Sequence, residues 1–204
     1  MLLRSLLVLL LAMVTALAAA GCSGDDEPER QVEVNPTPID KFLPDSVHVS
    51  RASFCSRIAD EAVTAAIGQV ASTRHYGNGE RAQVSGGVRD VAHEYNCTYV
   101  GSSGDTARAW VFVPRVTRAQ ARALVRGVRR QAGCRLVDGH SFGSPGTGSI
   151  CVRGGRTEAA YRGLFVDAWL SCSVTDGGPQ RLARNALLKK AGDWCVQAAT
   201  ATAD

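Results

Sequence analysis

Seven cysteines are spread over the 204 residues of the chain, and their number and spacing constrain the fold more than any other feature. Cys22 ends an apolar N-terminal run, and the other six cysteines lie downstream of it. No two of the six are separated by only two residues, so neither a zinc ribbon nor a thioredoxin-like redox site is indicated. An even number of cysteines in an exported domain predicts three disulfides. The six residues are Cys55, Cys97, Cys134, Cys151, Cys172 and Cys195.

The N-terminus predicts export and a lipid anchor. Met1 to Arg4 carries one positive charge, and the apolar run over 5–20 falls short of the roughly 18 to 20 residues of a transmembrane helix. The run ends in Ala19-Ala20-Gly21-Cys22, which resembles the lipobox of bacterial lipoproteins, whose cysteine carries a diacylglycerol group. We therefore predict a lipoprotein signal peptide over 1–21 and lipidation of Cys22 on the extracytoplasmic side of the cell membrane. The alternative is an ordinary cleaved signal with a chance cysteine.

Six cysteines allow fifteen pairings, and the sequence alone does not choose among them. Sequential pairing would tie each predicted helix to a neighbouring strand, through the bonds Cys55–Cys97, Cys134–Cys151 and Cys172–Cys195. The alternative is that some of these cysteines are buried free thiols, which pack as small hydrophobic side chains.

Composition divides the mature chain into a tether and one domain. Residues 22–46 carry the lipidated Cys22 and then several prolines and acids with little apolar content, which predicts a flexible tether of roughly 25 to 30 Å. Residues 47–204 are predicted to form a single domain of ordinary size. The net charge of +4 is too small to predict nucleic-acid binding, although it favours association with an anionic envelope.

Periodicity predicts a mixture of helices and strands. Apolar residues recur at helical spacing over 54–67, Thr117 and Gln120 form a capping box for a second helix, and Pro179 begins a last one. The segment 71–90 is predicted as a loop-rich insert with one short strand. The predicted strands are 91–100, 106–113, 148–153 and 164–174, with a pairing segment at 158–162.

An internal similarity suggests how these elements pack. The segments that begin at Ala109-Trp110 and Ala168-Trp169 both continue through Val-Thr, a helix and Ala-Gly to a cysteine. Two ββα halves would pack their helices on one antiparallel sheet, so we predict an α+β fold stapled by disulfides. The alternative is that any strand followed by an amphipathic helix would show this likeness.

The stretch Gly139-His140-Ser141-Phe142-Gly143 matches G-x-S-x-G, the nucleophile elbow of serine hydrolases. The hydrolase order places a histidine after the serine, whereas all four histidines precede Ser141. Ser144-Pro145-Gly146 also prevents the helix that should follow the elbow. We therefore interpret the stretch as a loop between Cys134 and Cys151 and predict that the protein is not an enzyme. A hydrolase that uses Ser141 is the weakest alternative.

No metal site and no cofactor are predicted. His93-Glu94 lacks the second histidine of H-E-x-x-H, and we interpret His93 as a partly buried strand residue. Asn96-Cys97-Thr98 matches a glycosylation sequon, which we interpret as a chance match because Cys97 is needed for a disulfide.

Two surface features are candidates for binding. Arg74, His75 and Tyr76 lie in a polar segment, 74–80, that is able to rim a ligand cleft. Five arginines crowd one face of the second predicted helix, where a solvated face is the usual explanation and docking onto anionic head groups or phosphates is the alternative. They are Arg118, Arg122, Arg126, Arg129 and Arg130.

The segment SFCSRIADEAVTAAIGQ, followed by NCTYV, carries a resemblance to known proteins. Its pattern of cysteine, helix, glycine and a second cysteine near an aromatic residue resembles actinobacterial cell-envelope lipoproteins of unknown function. These in turn are similar to the extracellular sensor domains of mycobacterial serine/threonine kinases. The resemblance implies an extracytoplasmic α+β module that binds or senses a ligand and has no known catalytic site.

These observations lead to one functional expectation and one main alternative. We expect a membrane-anchored lipoprotein that binds an envelope polymer, a lipid or a protein partner without catalysing a reaction. The alternative is an accessory lipoprotein that scaffolds an envelope complex.

Overall fold

A computed structural model describes residues 31–35, 37–84, 88–140, 142–178 and 181–203. Within these residues lie nine strands and three α-helices. The strands are β1 (Val70–Tyr76), β2 (Arg81–Gln83), β3 (Arg89–Val91), β4 (Glu94–Gly101), β5 (Thr106–Phe112), β6 (Cys134–Val137), β7 (Gly146–Arg153), β8 (Arg156–Phe165) and β9 (Ala168–Asp176). The helices are α1 (Asp60–Ile67), α2 (Arg118–Arg129) and α3 (Arg184–Thr202).

One seven-stranded sheet organises the molecule, with the strand order β1-β4-β5-β9-β8-β7-β6. Every neighbouring pair in it is antiparallel, and β2 and β3 form a separate two-stranded ribbon. The predicted α+β class with an antiparallel sheet is therefore confirmed. No helix in the described part of the chain is long and apolar enough to cross a membrane.

The main core lies between one face of the sheet and the helices α1 and α3. Side chains on a strand alternate between its two faces, so Cys97, Ala109 and Cys172, which stand opposite one another on β4, β5 and β9, all point into this core. Trp194 of α3 is 1% exposed there, and its indole N–H donates to the carbonyl oxygen of Arg108 at 2.9 Å. These contacts fix α3 across the centre of the sheet.

Helix α2 packs on the opposite face. Its Ala121 and Val125 contact Leu164 and Trp169, which alternate with the core residues of β8 and β9. The predicted capping box begins the helix, because Thr117 Oγ1 accepts from the backbone N–H of Gln120 and Gln120 Oε1 accepts from that of Thr117. Both ββα units suggested by the internal similarity are present, but their helices cover opposite faces of the sheet.

Three disulfides join the six cysteines in sequential order. Cys55–Cys97 ties a short 3-10 helix before α1 to β4, and Cys172–Cys195 ties β9 to α3. Cys134–Cys151 links directly opposed residues of β6 and β7, with the Cα atoms 4.0 Å apart. The first two bonds fasten the main core, and the third closes the edge of the sheet.

The folded part begins earlier than the predicted residue 47. Residues 31–35 and 37–46, here called the strap, lie against α3. The backbone N–H of Asn35 donates to Gln197 Oε1 at 2.9 Å, the Asn35 amide donates to Thr200 Oγ1 at 3.1 Å, and Phe42 is only 3% exposed. The sequence did not predict this packing, because the segment is mostly polar and only a few of its side chains attach it to the domain. The remainder of the predicted tether, 22–30, lies outside the described residues.

The edges of the predicted elements also differ from the structure. In place of one helix over 54–67, a 3-10 helix over Cys55–Arg57 precedes α1, and the hydroxyl of Tyr99 donates to the carbonyl oxygen of Cys55. The insert at 71–90, predicted to hold one short strand, contains most of the edge strand β1, all of β2 and the start of β3. Strand β1 lacked an apolar signal because most of its residues are exposed. The segment 158–162 belongs to the ten-residue strand β8, and β9 begins at Ala168. Helix α3 begins at Arg184; Pro179 lies outside the described residues.

Gly163 of β8 lets the loop before β7 dock on the sheet. A Cβ there would lie 2.7 Å from the Cα of Gly143 and closer still to the carbonyl oxygen of Phe142. We expect Gly163→Ala to lower the free energy of unfolding by about 1 to 3 kcal/mol, because backbone atoms must shift to admit the methyl group. Urea denaturation measures the change.

Gly127→Ala is the matched control. A Cβ at Gly127, within α2, meets no heavy atom inside 4 Å, so this change should raise stability by roughly 0.5 to 1 kcal/mol. Equal effects of the two substitutions would contradict the proposed close approach.

Candidate functional site

A groove runs over the face of the sheet that α1 and α3 leave uncovered, with a polar lobe and a more apolar one. Strands β4, β5, β9 and β8 form its floor. One lobe, of about 790 Å³, is bordered by β1 and β2, and a second, of about 560 Å³, is bordered by β3 and α2. Each volume suits a small organic ligand. The floor residues include Asn96, Thr98, Arg108, Trp110, Ser171 and Ser173.

The register of the strands places these side chains in two neighbouring rows across the sheet. Asn96, Trp110 and Ser171 stand directly opposite one another and form the first row, which continues to Arg162. Thr98, Arg108 and Ser173 form the second row in the same way. Since adjacent strands lie about 4.8 Å apart, Asn96 and Ser171 are separated by roughly 10 Å. A molecule lying along the first row would span both positions.

Arg108 is held by a cluster at one wall of the groove. Its Nη2 donates to the Tyr76 hydroxyl at 3.2 Å and lies 3.6 Å from Glu94 Oε1, while its guanidinium carbon lies 4.6 Å from the centre of the Trp110 ring. The Tyr76 hydroxyl donates to Glu94 Oε1 at 2.5 Å. Burial and the hydrogen bond to Glu94 raise the pKa of Tyr76 to about 12, so this proton stays in place at neutral pH. The cluster fixes the orientation of the guanidinium.

Arg162 is a second cation in the groove. Its Nη1 donates to Ser149 Oγ at 2.9 Å, and its Nη2 lies 3.5 Å from Glu158 Oε1. Burial lowers the pKa of Arg162, because a charged guanidinium loses hydration there, and the carboxylate of Glu158 opposes this shift. A further anionic group in the groove would compensate the same charge.

Two buried polar groups on the floor lack partners. Asn96 and Ser171 are both 0% exposed, and in the described structure neither the amide nitrogen of Asn96 nor the hydroxyl of Ser171 has a hydrogen-bond partner. The oxygen of the Asn96 amide does have a partner, because Oδ1 accepts a hydrogen bond from Thr98 Oγ1 at 2.8 Å. Most buried polar groups in proteins are bonded, and an unbonded one costs about 1 to 3 kcal/mol. The first row therefore contains unused hydrogen-bonding capacity beneath the groove.

The segment that sequence analysis selected as a cleft rim does border the groove. Arg74, His75 and Tyr76 on β1 and Glu80 beyond it line the larger lobe. Burial lowers the pKa of His75.

The five arginines of α2 lie elsewhere, exposed on the side of the helix away from the groove. The one hydrogen bond that their side chains make with described residues joins Arg118 Nη2 to Ser144 Oγ at 3.4 Å. They are Arg118, Arg122, Arg126, Arg129 and Arg130.

The G-x-S-x-G stretch has a packing role. Ser141 lies outside the described residues, but Phe142 is 0% exposed and contacts Phe42 and Phe165 in the core. His140 Nδ1 accepts the backbone N–H of Phe142 at 3.3 Å, and burial lowers the pKa of this histidine. Phe142 and Gly143 therefore occupy their places in the motif because they pack in the core and against β8.

Three smaller interpretations are also located in the structure. His93 is exposed in the bend before β4, which corrects its prediction as a partly buried strand residue; β4 begins one residue later. Asn96 and Thr98 are buried, so the sequon is not presented for glycosylation. Cys22 lies outside the described residues, and lipidation there remains a prediction. Within the described ranges, no group of three His, Cys, Asp or Glu side chains is arranged to hold a metal ion.

The floor residues were missed by sequence analysis, although a signal exists. Polar residues alternate with apolar ones along each central strand, as in Ser171-Cys172-Ser173-Val174-Thr175. Such alternation usually indicates a solvated face. Here the polar set is buried as well, which only the assembled sheet reveals.

Comparison with known proteins adds no family. No family model matches the sequence, and no curated protein matches it. Among solved structures, a GTP binding regulator from Thermotoga maritima is similar over 66% of this chain and 84% of its own, with 10% sequence identity and a TM-score of 0.34. A TM-score this low supports no conclusion about fold or function.

Paired serine substitutions test the unused bonding capacity of the floor. Ser149 and Ser171 are both 0% exposed, but Ser149 accepts a hydrogen bond from Arg162 and Ser171 has no partner in the described structure. We expect Ser149→Ala to lower the free energy of unfolding by about 1 to 3 kcal/mol, and Ser171→Ala to leave it unchanged or raise it. Urea denaturation of the ligand-free protein distinguishes them, and equal losses would show that Ser171 is satisfied.

Proposed function

We propose that this protein is a lipid-anchored, extracytoplasmic module of the cell envelope that binds a ligand in this groove. The observation that carries the proposal is the pair of buried groups without partners, Asn96 Nδ2 and Ser171 Oγ, in one row of the floor. A ligand that bonds to both would remove their desolvation cost, and that gain would contribute to its affinity.

The pairing of the ionisable groups supports a binding role. Glu94 is already hydrogen-bonded by Tyr76, and Glu158 is paired with Arg162. Groups that are fixed by such pairing suit a site that holds a ligand in one orientation. The resemblance to kinase sensor domains supports the same role.

Anchoring is supported by the N-terminal sequence. The apolar run that ends in Ala19-Ala20-Gly21-Cys22 supplies the lipobox-like pattern, and the six remaining cysteines are all engaged in disulfides, as suits an oxidising compartment.

A scaffolding role is the second candidate function. The exposed arginine face of α2 favours it, because guanidinium groups bind carboxylates and phosphates on a partner surface. Such docking would depend on Arg122 and Arg126 and would be independent of the groove.

The anchor is tested on the full-length chain in an actinobacterial host. Cys22→Ser should move the protein from the membrane fraction or leave an unprocessed precursor, because the lipid attachment site is lost. Ser23→Ala is the control and should remain membrane-bound. Processing and membrane retention of Cys22→Ser at the level of the control would contradict lipidation.

Ligand binding is tested by thermal unfolding of the full-length protein in detergent, with and without a soluble envelope extract. A ligand present at 100 times its Kd stabilises by about 2.7 kcal/mol, or roughly 5 to 10 °C for a chain of this size. The shift should vanish in Asn96→Leu, which removes the free amide.

Asn185→Leu is the matched control, because Asn185 is exposed on α3, across the sheet from the groove. It should keep the full shift. A shift of the same size in both variants would show that the ligand binds outside the groove. No shift in the wild type with any extract would contradict the proposal.

A further inference from the structure

Hydrogen-bond donors remain in the groove after its internal bonds are counted. The carboxylates Glu94 and Glu158 accept from Tyr76 and Arg162, and Asn96 Oδ1 accepts from Thr98. The Asn96 amide N–H groups have no acceptor in the described structure. Arg108 has five guanidinium N–H groups, and only those on Nη2 contact described side chains. A ligand rich in acceptor oxygens would satisfy these donors.

The charge of the larger lobe favours an anion. Four arginines and two glutamates line it, and Glu158 is already paired with Arg162. Arg108 has 26% of its side chain exposed and is oriented by Tyr76 and Glu94. A guanidinium held in this way is suited to a carboxylate or a phosphate, since its N–H groups form charge-assisted pairs with two oxygens.

The remaining lining favours a polyhydroxylated ligand. Six of the side chains that line the larger lobe carry hydroxyl groups, among them Thr98, Thr106, Ser173 and Thr175, whereas Ala82 and Val84 are its only apolar residues among those described. Hydroxyl groups donate and accept, so they match the ring hydroxyls of a sugar. The row from Asn96 to Ser171 is also longer than a single inorganic ion can bridge.

We infer that the groove binds an acidic saccharide, with a carboxylate or phosphate group on Arg108 and ring hydroxyls on Asn96 and Ser171. The inference rests on the proposed binding function and adds the chemical class of the ligand. Peptides are less suitable, because only two of the described side chains that line the larger lobe, Ala82 and Val84, are apolar.

Calorimetric titration of the full-length protein in detergent with three defined sugars tests the class. Trigalacturonic acid carries carboxylates, glucose 6-phosphate carries a phosphate, and maltotriose is neutral. We expect one or both acidic sugars to bind and maltotriose to bind at least tenfold more weakly. Binding of only one acidic sugar identifies carboxylate or phosphate as the charged group.

Substitution of Arg108 tests the contact. Arg108→Gln should weaken binding of the acidic sugar at least tenfold, and Arg108→Lys, which keeps the charge that faces Glu94 but loses the planar fork, should weaken it less. Arg122→Gln removes the same charge from the exposed face of α2 and should leave the affinity unchanged.

Several results would overturn the inference. They are equal binding of maltotriose and the acidic sugars, equal losses in Arg108→Gln and Arg122→Gln, and no binding of any of the three sugars. If the envelope extract still stabilises the wild type and not Asn96→Leu in that last case, the binding function stands and only the saccharide class fails. If the extract also has no effect, both proposals fail.

Discussion

The pairing of β5 with β9 is the interaction on which the rest of the structure depends. These adjacent strands, far apart in sequence, join the N-terminal and C-terminal parts of the sheet through a register from Thr106–Thr175 to Val111–Leu170. One side of the pair carries Ala109 and Cys172 into the main core, where the disulfide to Cys195 holds α3 in place. A shift by one residue would exchange the faces and bury the arginine and tryptophan of β5 under α3.

That register also creates the groove. It places Asn96, Trp110 and Ser171 side by side on the face that α2 covers only in part. If this face were fully covered, its side chains would have to be apolar. If it were fully open, its polar groups would hydrogen-bond to water. The partial cover of α2 and the β2–β3 ribbon buries these side chains without supplying partners for all of them. The groove therefore exists because this face of the sheet is only partly covered.

The sequence predicted features set by local or covalent chemistry. The capping box at Thr117 and Gln120 was visible because both residues lie within one helical turn. The sequence did not choose among the disulfide pairings, but the order of elements favoured the sequential set that the structure contains. Edge strand β1 was hidden because its mostly exposed side chains carry no apolar pattern. The face chosen by α2 and the floor of the groove were also hidden. They depend on contacts between distant residues such as Ala121 and Trp169.

The strap has a mechanical consequence. Its Asn35 is bonded to Gln197 and Thr200 of α3, and α3 is covalently joined to β9 through Cys195. Tension applied at the N-terminal end would pass from the strap into α3 and then into the central strand by a covalent bond. The load path runs through the side of the sheet that carries the main core. The β2–β3 ribbon and α2, which border the groove, stand outside it, so a force on the strap would reach the groove through its floor strand β9 and not through its walls.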